Sequence, residues 1–275
     1  EFAPAKINLC LHVTGRRDDG YHLLDSLVVF AGVGDRVSLG AGPSLDLQID
    51  GPEARGLTAA ADNLVLRAAR LVGLQAGTLR LWKALPLASG IGGGSADAAA
   101  TLRLISRQTG RPTDPAQAVG LGADVPVCLA GRPARMRGIG ESLAPMPPLP
   151  PLWLVLVNLR IATPTPQVFA ALTRRQNPPL PDLPTQGWAN AADLADWLQR
   201  HSRNDLFPPA LILVPGLAGV LDRLNHATGC LMARMSGSGA TCFGLFADPD
   251  QASSAAARIA TDQPGWWVAA APVLA

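Results

Sequence analysis

The strongest chemical signal in the sequence is the glycine-rich stretch 87–100. The stretch contains four glycines: Gly90, Gly92, Gly93 and Gly94. Glycine lets the backbone adopt positive φ and approach a ligand closely. An alanine-rich run follows and predicts a helix from Ser95 to Ser106, with Ser95 as its cap and Asp97 in its first turn. Because the amides and dipole of a helix N-terminus attract anions, the stretch predicts a phosphate cradle; a flexible loop before a tightly packed helix is the alternative.

The spacing of these glycines differs from that of two familiar phosphate motifs. No Gly-Lys-Ser/Thr sequence follows them, so the stretch is not a P-loop. Residues 83–89 separate the preceding strand from the first glycine, whereas a dinucleotide-binding fingerprint begins directly after its strand. A nicotinamide-dependent oxidoreductase is therefore the least favoured enzyme class.

A single carboxylate, Asp124, stands in the short segment Gly-Ala-Asp-Val-Pro just before Pro126. The proline favours an extended Val125 and is expected to hold Asp124 at the end of an element, where a general base can face a substrate. A turn or cap role for Asp124 is the alternative.

Lys6 and Asn8 lie in a run, 5–13, whose alternating apolar residues predict a strand. Side chains two residues apart point to the same face of a strand, so these two polar groups are expected on one side. A lysine in an otherwise apolar strand is either a functional cation or a charge on an exposed sheet edge.

The only tyrosine, Tyr21, adjoins His22 in a turn after the first strand. An aromatic ring next to an imidazole can stack on a nucleobase while the imidazole hydrogen-bonds the edge of the base. The alternative is a half-buried aromatic side chain that anchors a hairpin.

A third glycine-rich segment, Ser236-Gly-Ser-Gly239, is predicted to connect two strands. Its hydroxyls and amides are candidate hydrogen-bond donors to a ligand. Taken alone, the segment is equally well explained as a hairpin turn with solvent-exposed serines.

The composition limits the classes of protein that carry these motifs. The chain has 275 residues, 48% of them hydrophobic and 16% charged, which is enough for one large or two modest domains. A net charge of +2 argues against a dedicated nucleic-acid binder. Four cysteines without a CxxC pair and four histidines without HExxH argue against a disulfide framework and a zinc site. Apolar runs such as 152–157 are too short to span a membrane, so we expect a soluble cytoplasmic protein.

Residue periodicity predicts the elements that must position these side chains. Strands are predicted at 5–13, 24–31, 36–39, 45–49, 78–82, 153–157, 231–235, 241–246 and 266–271. Helices are predicted at 62–72, 95–106, 167–174, 189–200, 215–228 and 248–259, with Asp62 and Asp248 as caps, and 178–184 is predicted as an exposed loop. This arrangement favours an α+β fold. Five prolines within 144–151 predict a linker, which divides the chain into domains 1–148 and 149–275.

Taken together, three segments resemble the three motifs of the GHMP kinases: Ala3-Pro-Ala-Lys-Ile-Asn-Leu9, the loop 86–96 and Ser236-Gly-Ser-Gly-Ala240. Gly20-Tyr-His22, Asp62-Asn-Leu64, Gly122-Ala-Asp-Val-Pro126 and Thr163-Pro-Thr-Pro166 are similar to the branch that acts on cytidyl acceptors of the non-mevalonate isoprenoid pathway. The resemblance implies an N-terminal domain related to a ribosomal small-subunit protein fold, a C-terminal α+β domain and an active site in the cleft between them.

The resemblance also implies an activity and residue roles. The reaction would be ATP-dependent phosphorylation of the 2-hydroxyl of a diphosphocytidyl alcohol, with Mg²⁺, and neither a nucleic acid nor a membrane as partner. Asp124 would be the base, Lys6 would stabilise charge, and Asn8, Tyr21, His22 and Thr165 would bind the acceptor. The residues implied for the nucleotide are Asn63, Lys83, Pro86, Leu87, Ala88, Ser89, Gly90, Ile91, Gly92, Gly93, Gly94, Ser95 and Ala96.

Two positions depart from the family pattern. Ala88-Ser89 stands where such loops often carry Gly-Gly, and Ala96 stands where many have a second serine. The first change is expected to leave the amide cradle intact, and the second leaves the metal ligands unassigned. The alternatives are another GHMP small-molecule kinase, of the mevalonate or homoserine type, and a catalytically silent binding protein on the same scaffold.

Overall fold

The computed structural model describes residues 1–274, which form two compact units. The first unit consists of 1–6, 33–87 and 92–131, and the second of 7–32, 88–91 and the chain from 132 onward. Two long strands, β1 (Phe2–Arg16) and β2 (His22–Gly40), contribute residues to both units. The units are therefore not continuous segments of sequence, and a division after residue 148 stays a prediction.

The first unit contains sheet strands and a group of helices. Strand β3 (Leu45–Asp50) pairs in parallel with β4 (Gly77–Trp82), and β4 pairs antiparallel with the second half of β2, where Arg36 lies opposite Trp82. The helices are α1 (Leu64–Leu71), α2 (Gly93–Thr109), α3 (Pro115–Ala118) and α4 (Val125–Ala130), with a 3₁₀ turn at Val119–Leu121. Leu79 and Leu81 of β4 are buried, whereas Trp82 is exposed, so one face of this sheet forms the core.

The second unit is built on antiparallel strands. These are the first half of β2, β5 (Ala134–Gly138), β6 (Ser142–Pro145), β7 (Trp153–Asn158), β8 (Met232–Met235), β9 (Thr241–Phe246) and β10 (Trp267–Leu274). The strand order β2-β10-β7-β9-β8 forms one path, and β5 pairs with β2 and β6. All these pairs are antiparallel, as expected for strands that can present one face to a core.

Five helices complete the second unit: α5 (Thr165–Ala170), α6 (Ala191–His201), α7 (Phe207–Leu213), α8 (Leu217–Asn225) and α9 (Pro249–Asp262). Val157 of β7, Leu224 of α8 and Ile259 of α9 belong to one buried apolar cluster. Within residues 1–274, no helix has both the length and the apolar character that a bilayer crossing requires.

Most of the expected strands and helices are present, but several boundaries differ. Helix α1 is capped by Asn63, whose Oδ1 accepts the amide proton of Val65, and not by Asp62. Helix α2 begins at Gly93, two residues earlier than expected, so Ser95 lies within its first turn and Asp97 lies beyond it. The reason is Gly92, which occupies the cap position with φ of +65°, a conformation that glycine adopts without steric cost.

Two local expectations are wrong. Val125 is not extended: it is the first residue of α4, because a proline in the first turn of a helix removes no helical hydrogen bond. The segment 178–184 is not wholly exposed, since Leu180 is buried. Sequence periodicity also misses the short elements α4, α7, β5 and β6, which contain too few residues to establish a period.

A buried ion pair holds Leu180 in place within the second unit. Arg135 donates from Nε and Nη2 to the two carboxylate oxygens of Asp25, at 2.9 and 2.7 Å. The Leu180 amide donates to Asp25 at 3.1 Å, and its carbonyl accepts from Arg135 at 2.7 Å. The loop is therefore attached to β2 and β5 by charged hydrogen bonds.

We predict that Asp25→Ala lowers the free energy of unfolding by about 3–5 kcal/mol, because it leaves the Arg135 guanidinium buried and unpaired. The control is Asp19→Ala, which removes the exposed Arg17–Asp19 pair, and whose cost is expected to stay below about 1 kcal/mol. Urea unfolding measures both. Equal, small losses of stability in the two variants would show that the Asp25–Arg135 pair does not hold the Leu180 loop in place.

Candidate active site

The first unit brings Lys6 and Asp124 together. Lys6 Nζ lies 2.7 Å from Asp124 Oδ2; Lys6 is 3% exposed, whereas the Asp124 side chain is 33% exposed. Asp124 occupies the cap position of α4, yet its side chain makes no capping hydrogen bond there. Lys6 is therefore not a charge on an exposed sheet edge, and the Asp124 side chain does not cap α4. The pair presents a carboxylate to solvent with a buried ammonium behind it.

The glycine loop ends against Lys6. A Cβ built on Gly92 would lie 3.1 Å from Lys6 Cβ, which is closer than such contacts normally are. The first backbone hydrogen bond of α2 runs from the Ala96 amide to the Gly92 carbonyl at 2.8 Å, so the amides of Gly93, Gly94 and Ser95 come before it. These amides and the Lys6 ammonium form an electropositive region at the start of α2.

Lys83 lies in a buried cluster with two carboxylates. It is 2% exposed, and its ammonium donates to Asp35 and, at 2.9 Å, to Asp97 Oδ2. Asp35 also accepts the amide protons of Ala84 and Leu85, at 2.6 and 2.8 Å. Burial acts to lower the pKa of Lys83, but the two carboxylates outweigh it and raise that pKa. Lys83 therefore stays charged, and its side chain is enclosed.

In the second unit, loop 88–91 packs backbone to backbone on the turn 236–239. Ser236 Oγ donates to the Gly90 carbonyl and accepts from the Asn8 amide, each at 3.1 Å. The Ser89 carbonyl accepts from Thr241 at 3.0 Å. Ser236 and Ser238 are both buried, so they are not solvent-exposed residues of a simple hairpin turn. The turn supports this part of the glycine loop.

Ala88 takes the backbone conformation that glycine would favour. Its φ is +46°, in the left-handed region that residues other than glycine rarely adopt, and the expectation that alanine leaves the amide cradle intact stays a prediction. Among the other residues expected at the nucleotide, Leu87 is partly exposed, and Pro86, Ile91 and Ala96 are buried. These three can therefore offer a ligand little side-chain surface.

Asn8 is fully buried on β1. Its Nδ2 donates to Ser26 Oγ at 2.7 Å, and Ser26 Oγ donates in turn to the Cys10 carbonyl at 2.6 Å. The Asn8 Oδ1 has no hydrogen-bond partner in the part of the chain that the structure describes. Contact between Asn8 and an acceptor stays a prediction.

Tyr21 and His22 differ in exposure. Tyr21 is 57% exposed, so it does not anchor the hairpin as a half-buried aromatic. The His22 ring stacks on Phe169 with centroids 4.7 Å apart and planes 24° apart. Burial lowers the pKa of His22, and Arg16 and Arg175 act in the same direction, so the ring is neutral near pH 7. Its Nε2 is buried and lacks a partner within residues 1–274.

Two further predicted residues take part in local structure. Thr165 begins α5, and its hydroxyl lies 2.9 Å from Ser238 Oγ. Asn63 caps α1, and its Nδ2 donates to the Thr58 carbonyl at 2.9 Å. Both side chains thus have structural partners, and their contacts with ligands stay predictions.

Three residues of these clusters were missed by sequence reasoning. Asp35 lies two residues before the buried Val37 on β2, so the two side chains point to the same face of the strand. This spacing was the available signal for an inward-facing carboxylate. Asp97 stands alone among the alanines at the start of α2, a second available signal. Phe169 had no signal, because nothing in the sequence pairs it with His22.

We predict that Gly92→Ala costs more stability than Gly110→Ala, the matched control at the other end of α2. Both glycines have positive φ, +65° and +69°, but a Cβ on Gly110 would meet nothing within 4 Å. Urea unfolding should show that Gly110→Ala lowers the free energy of unfolding by about 1 kcal/mol. Gly92→Ala should lower it by at least about 1 kcal/mol more, because only this substitution adds strain against Lys6. Equal losses would contradict the close packing of Gly92 on Lys6.

Comparison with known proteins matches two family models to the chain. The model described as GHMP kinases N terminal domain matches residues 63–134, which include loop 86–96 and Asp124. The model described as GHMP kinases C terminal matches residues 180–264, which include the turn 236–239. Both halves of a GHMP kinase are therefore present, and the α+β expectation is confirmed.

Full-length relatives and solved structures narrow the family. The chain is 59% identical to 4-diphosphocytidyl-2-C-methyl-D-erythritol kinase of Cereibacter sphaeroides, covering 98% of this chain and 97% of that protein. It is 58% identical to the kinase of the same name from Paracoccus denitrificans, covering 98% and 95%. A crystal structure of 4-(cytidine 5'-diphospho)-2C-methyl-D-erythritol kinase has 35% identity and a TM-score of 0.80, covering 100% and 99%.

More distant structures share the fold alone. Mevalonate kinase of L. major has 17% identity and a TM-score of 0.60, covering 98% of this chain and 94% of that one. At this identity the likeness shows the fold and nothing about the substrate. The chain is an ATP-dependent small-molecule kinase and belongs to the 4-diphosphocytidyl-2-C-methyl-D-erythritol kinase family of GHMP kinases.

Proposed function

We propose that this protein transfers the γ-phosphoryl group of ATP to the 2-hydroxyl of 4-diphosphocytidyl-2-C-methyl-D-erythritol, in non-mevalonate isoprenoid precursor synthesis. The names of its relatives support the substrate. The observation that carries the proposal is the Lys6–Asp124 pair, 2.7 Å apart, with the start of α2 packed against Lys6. A proton acceptor, a cation and open amides are the groups that phosphoryl transfer requires.

The residues at the start of α2 can accommodate the phosphates of a nucleoside triphosphate. The amides of Gly93, Gly94 and Ser95 come before the first helical hydrogen bond, and Gly94 is exposed. A cradle of this kind binds phosphate oxygens through backbone N–H groups and the helix dipole. We assign loop 86–96 to the phosphates, with Lys83 acting from beneath the loop through its charge. Asn63, the cap of α1, is assigned to the nucleotide by resemblance.

When bound, ATP supplies the phosphoryl group and an ADP leaving group. Asp124 takes the proton from the acceptor hydroxyl onto its carboxylate, which makes that oxygen nucleophilic. The Lys6 ammonium holds the carboxylate in place and stabilises negative charge on the transferring oxygens. The α2 amides orient the donor phosphates and stabilise the same charge. The proton leaves Asp124 to solvent through the exposed part of its side chain.

Mg²⁺ is proposed to enter with the nucleotide. This ion keeps several waters and binds through one or two carboxylates together with substrate phosphates, so it does not require a dedicated cage of side chains. Across residues 1–274, no group of three His, Cys, Asp or Glu side chains is arranged to hold a metal. We therefore assign no protein ligand to Mg²⁺.

The acceptor's cytosine is assigned to Tyr21 and His22. The exposed Tyr21 ring can stack on the base. The buried Nε2 of the neutral His22 lacks a partner within residues 1–274, and we assign it to the edge of the base, which it can reach only after the side chains around it move. Phe169, stacked on His22, fixes the orientation of the imidazole. Thr165 and Asn8 complete the proposed acceptor contacts.

The reaction is tested by measuring ATP consumption with a panel of acceptor alcohols. We expect turnover with 4-diphosphocytidyl-2-C-methyl-D-erythritol and none with mevalonate or homoserine. Good activity on mevalonate or homoserine alone would favour another GHMP kinase. Slow ATP hydrolysis with no acceptor preference would favour a silent binding protein.

We predict that Asp124→Asn lowers kcat at least ~10²-fold while ATP affinity changes by no more than a few-fold, since general-base catalysis supplies about 10²–10⁴. The matched control is Asp114→Asn, which replaces the cap of α3 in the same unit and keeps the oxygen that accepts from Ala116. Steady-state kinetics should find the control close to wild type. Near wild-type kcat in Asp124→Asn would remove this carboxylate from the mechanism.

We predict that Tyr21→Ala raises the acceptor KM roughly 5- to 150-fold, because base stacking on an aromatic ring is worth about 1–3 kcal/mol. Tyr21→Phe keeps the ring and is expected to cost little. Initial rates with the uridyl analogue test the edge contact, since uracil O4 accepts where cytosine N4 donates. Equal turnover of the cytidyl and uridyl acceptors would contradict the His22 assignment.

A further inference from the structure

We infer that Asp97 is a positioning residue of the phosphate site, and that the Asp35–Lys83–Asp97 cluster takes up a proton when ATP binds at the glycine loop. The inference rests on the proposed assignment of the ATP phosphates to that loop. It concerns residues that lie wholly within the first unit. Asp97 acts through Lys83 and the start of α2, without touching the reacting atoms.

The cluster contains one more negative charge than positive. Lys83 Nζ donates to both Asp35 and Asp97, and all three side chains are at most 3% exposed. If all three were ionised, the cluster would bury a net charge of −1. An uncompensated charge in a protein interior is costly, so a carboxyl group in such a cluster tends to gain a proton.

Asp97 is the carboxyl group that gains it. Both carboxylate oxygens of Asp35 have hydrogen-bond donors: Oδ2 accepts from the Lys83 ammonium, and Oδ1 accepts the amide protons of Ala84 and Leu85. Asp97 Oδ1 has no hydrogen-bond partner in the described chain, 1–274. Burial raises the pKa of Asp97 to about 7; Lys83 opposes this rise and Asp35 adds to it.

The cluster lies directly beneath the start of α2. A Cβ built on Gly93 would lie 3.0 Å from Lys83 Nζ and 3.8 Å from Asp35 Oδ2. Asp97 follows Gly93 by four residues, so it lies one helical turn further along the same side. Phosphates bound at the α2 amides would add negative charge close to Asp97 and favour its protonated form. By linkage, protonation of Asp97 must strengthen ATP binding by the same factor.

The other ionisable groups around Asp97 do not replace it as the proton acceptor. Cys128 of α4 is within electrostatic reach of Asp97, and burial raises the pKa of Cys128 to about 12, so its thiol stays neutral. The Lys6–Asp124 pair and Arg103 also act on Cys128, with charges that are already paired. The buried residues of α1 are all apolar.

The test measures protons taken up on binding of the non-hydrolysable β,γ-imido analogue of ATP, with Mg²⁺ and no acceptor. Calorimetric titration at pH 7 in PIPES and in Tris, which differ in ionisation enthalpy, gives the number of protons. Wild type should take up more protons than Asp97→Asn, with a difference of up to about half a proton, the value reached when Asp97 is half ionised before binding and fully protonated after it. The asparagine keeps the shape and an oxygen acceptor for Lys83, and subtraction cancels the nucleotide's own titration.

A pH series gives a second, independent measurement. The analogue's affinity for wild type should fall at least about 3-fold more than that of Asp97→Asn between pH 6.5 and 8.5. The control is Asp46→Asn, at an exposed position of β3, and its affinity for the analogue should show the same pH dependence as that of wild type. If Asp97→Asn does not fold, infrared difference spectra of wild type must show a protonated carboxyl band that grows on binding.

Two results would overturn the inference, and they have different consequences for the proposed function. Equal proton uptake and equal pH dependence in wild type and Asp97→Asn would remove Asp97 from the linkage while leaving ATP at the loop. The second result is that Gly92→Ala leaves binding of the analogue unchanged, or that wild type does not bind the analogue. Either outcome would show that ATP is not bound at the loop, and it would overturn the proposed function too.

Discussion

The ion pair between Lys6 and Asp124 is the interaction on which the rest of the site depends. An ammonium that is 3% exposed needs a close counter-charge, because breaking a buried pair costs about 3–5 kcal/mol. Asp124 supplies that charge at 2.7 Å while keeping a third of its own side chain in solvent. Gly92 packs against the stem of Lys6, so the same lysine fixes where α2 begins. Strand β1, the glycine loop and α4 are thereby joined at one cation.

The glycine loop is held from below by charge and by close backbone packing. In the first unit, Asp35 binds both the Lys83 ammonium and the amides that lead into the loop. In the second unit, Ser236 binds the Gly90 carbonyl, and a Cβ on Gly90 would meet the backbone of 236–239 at 2.6 Å. Glycine is required at position 90 because a side chain there would overlap the backbone of 236–239. The amides of Gly93, Gly94 and Ser95 come before the first helical hydrogen bond of α2, and they are the donors that we propose for an anion.

The sequence predicted most of the longer strands and helices, although β2 is one strand where two were expected, at 24–31 and 36–39. The glycine loop was singled out by its four glycines, and Lys6 and Asp124 by their place in segments that resemble GHMP kinase motifs; their roles stay predictions. The start of α2 was misplaced because a glycine cap carries no side-chain signal, and α4 was missed because six residues contain too little periodicity. The partners of Lys83 depend on contacts across 48 and 14 residues of sequence, which periodicity cannot reveal.

A double-mutant cycle on kcat tests most directly whether Lys6 and Asp124 act as one unit. The set consists of wild type, Lys6→Met, Asp124→Asn and the double variant, all measured with 4-diphosphocytidyl-2-C-methyl-D-erythritol at saturating ATP. Residues that work together in one step are strongly non-additive, so the double variant should be about as slow as the slower single variant. Losses in kcat that multiply across the two substitutions would show independent roles and contradict the account.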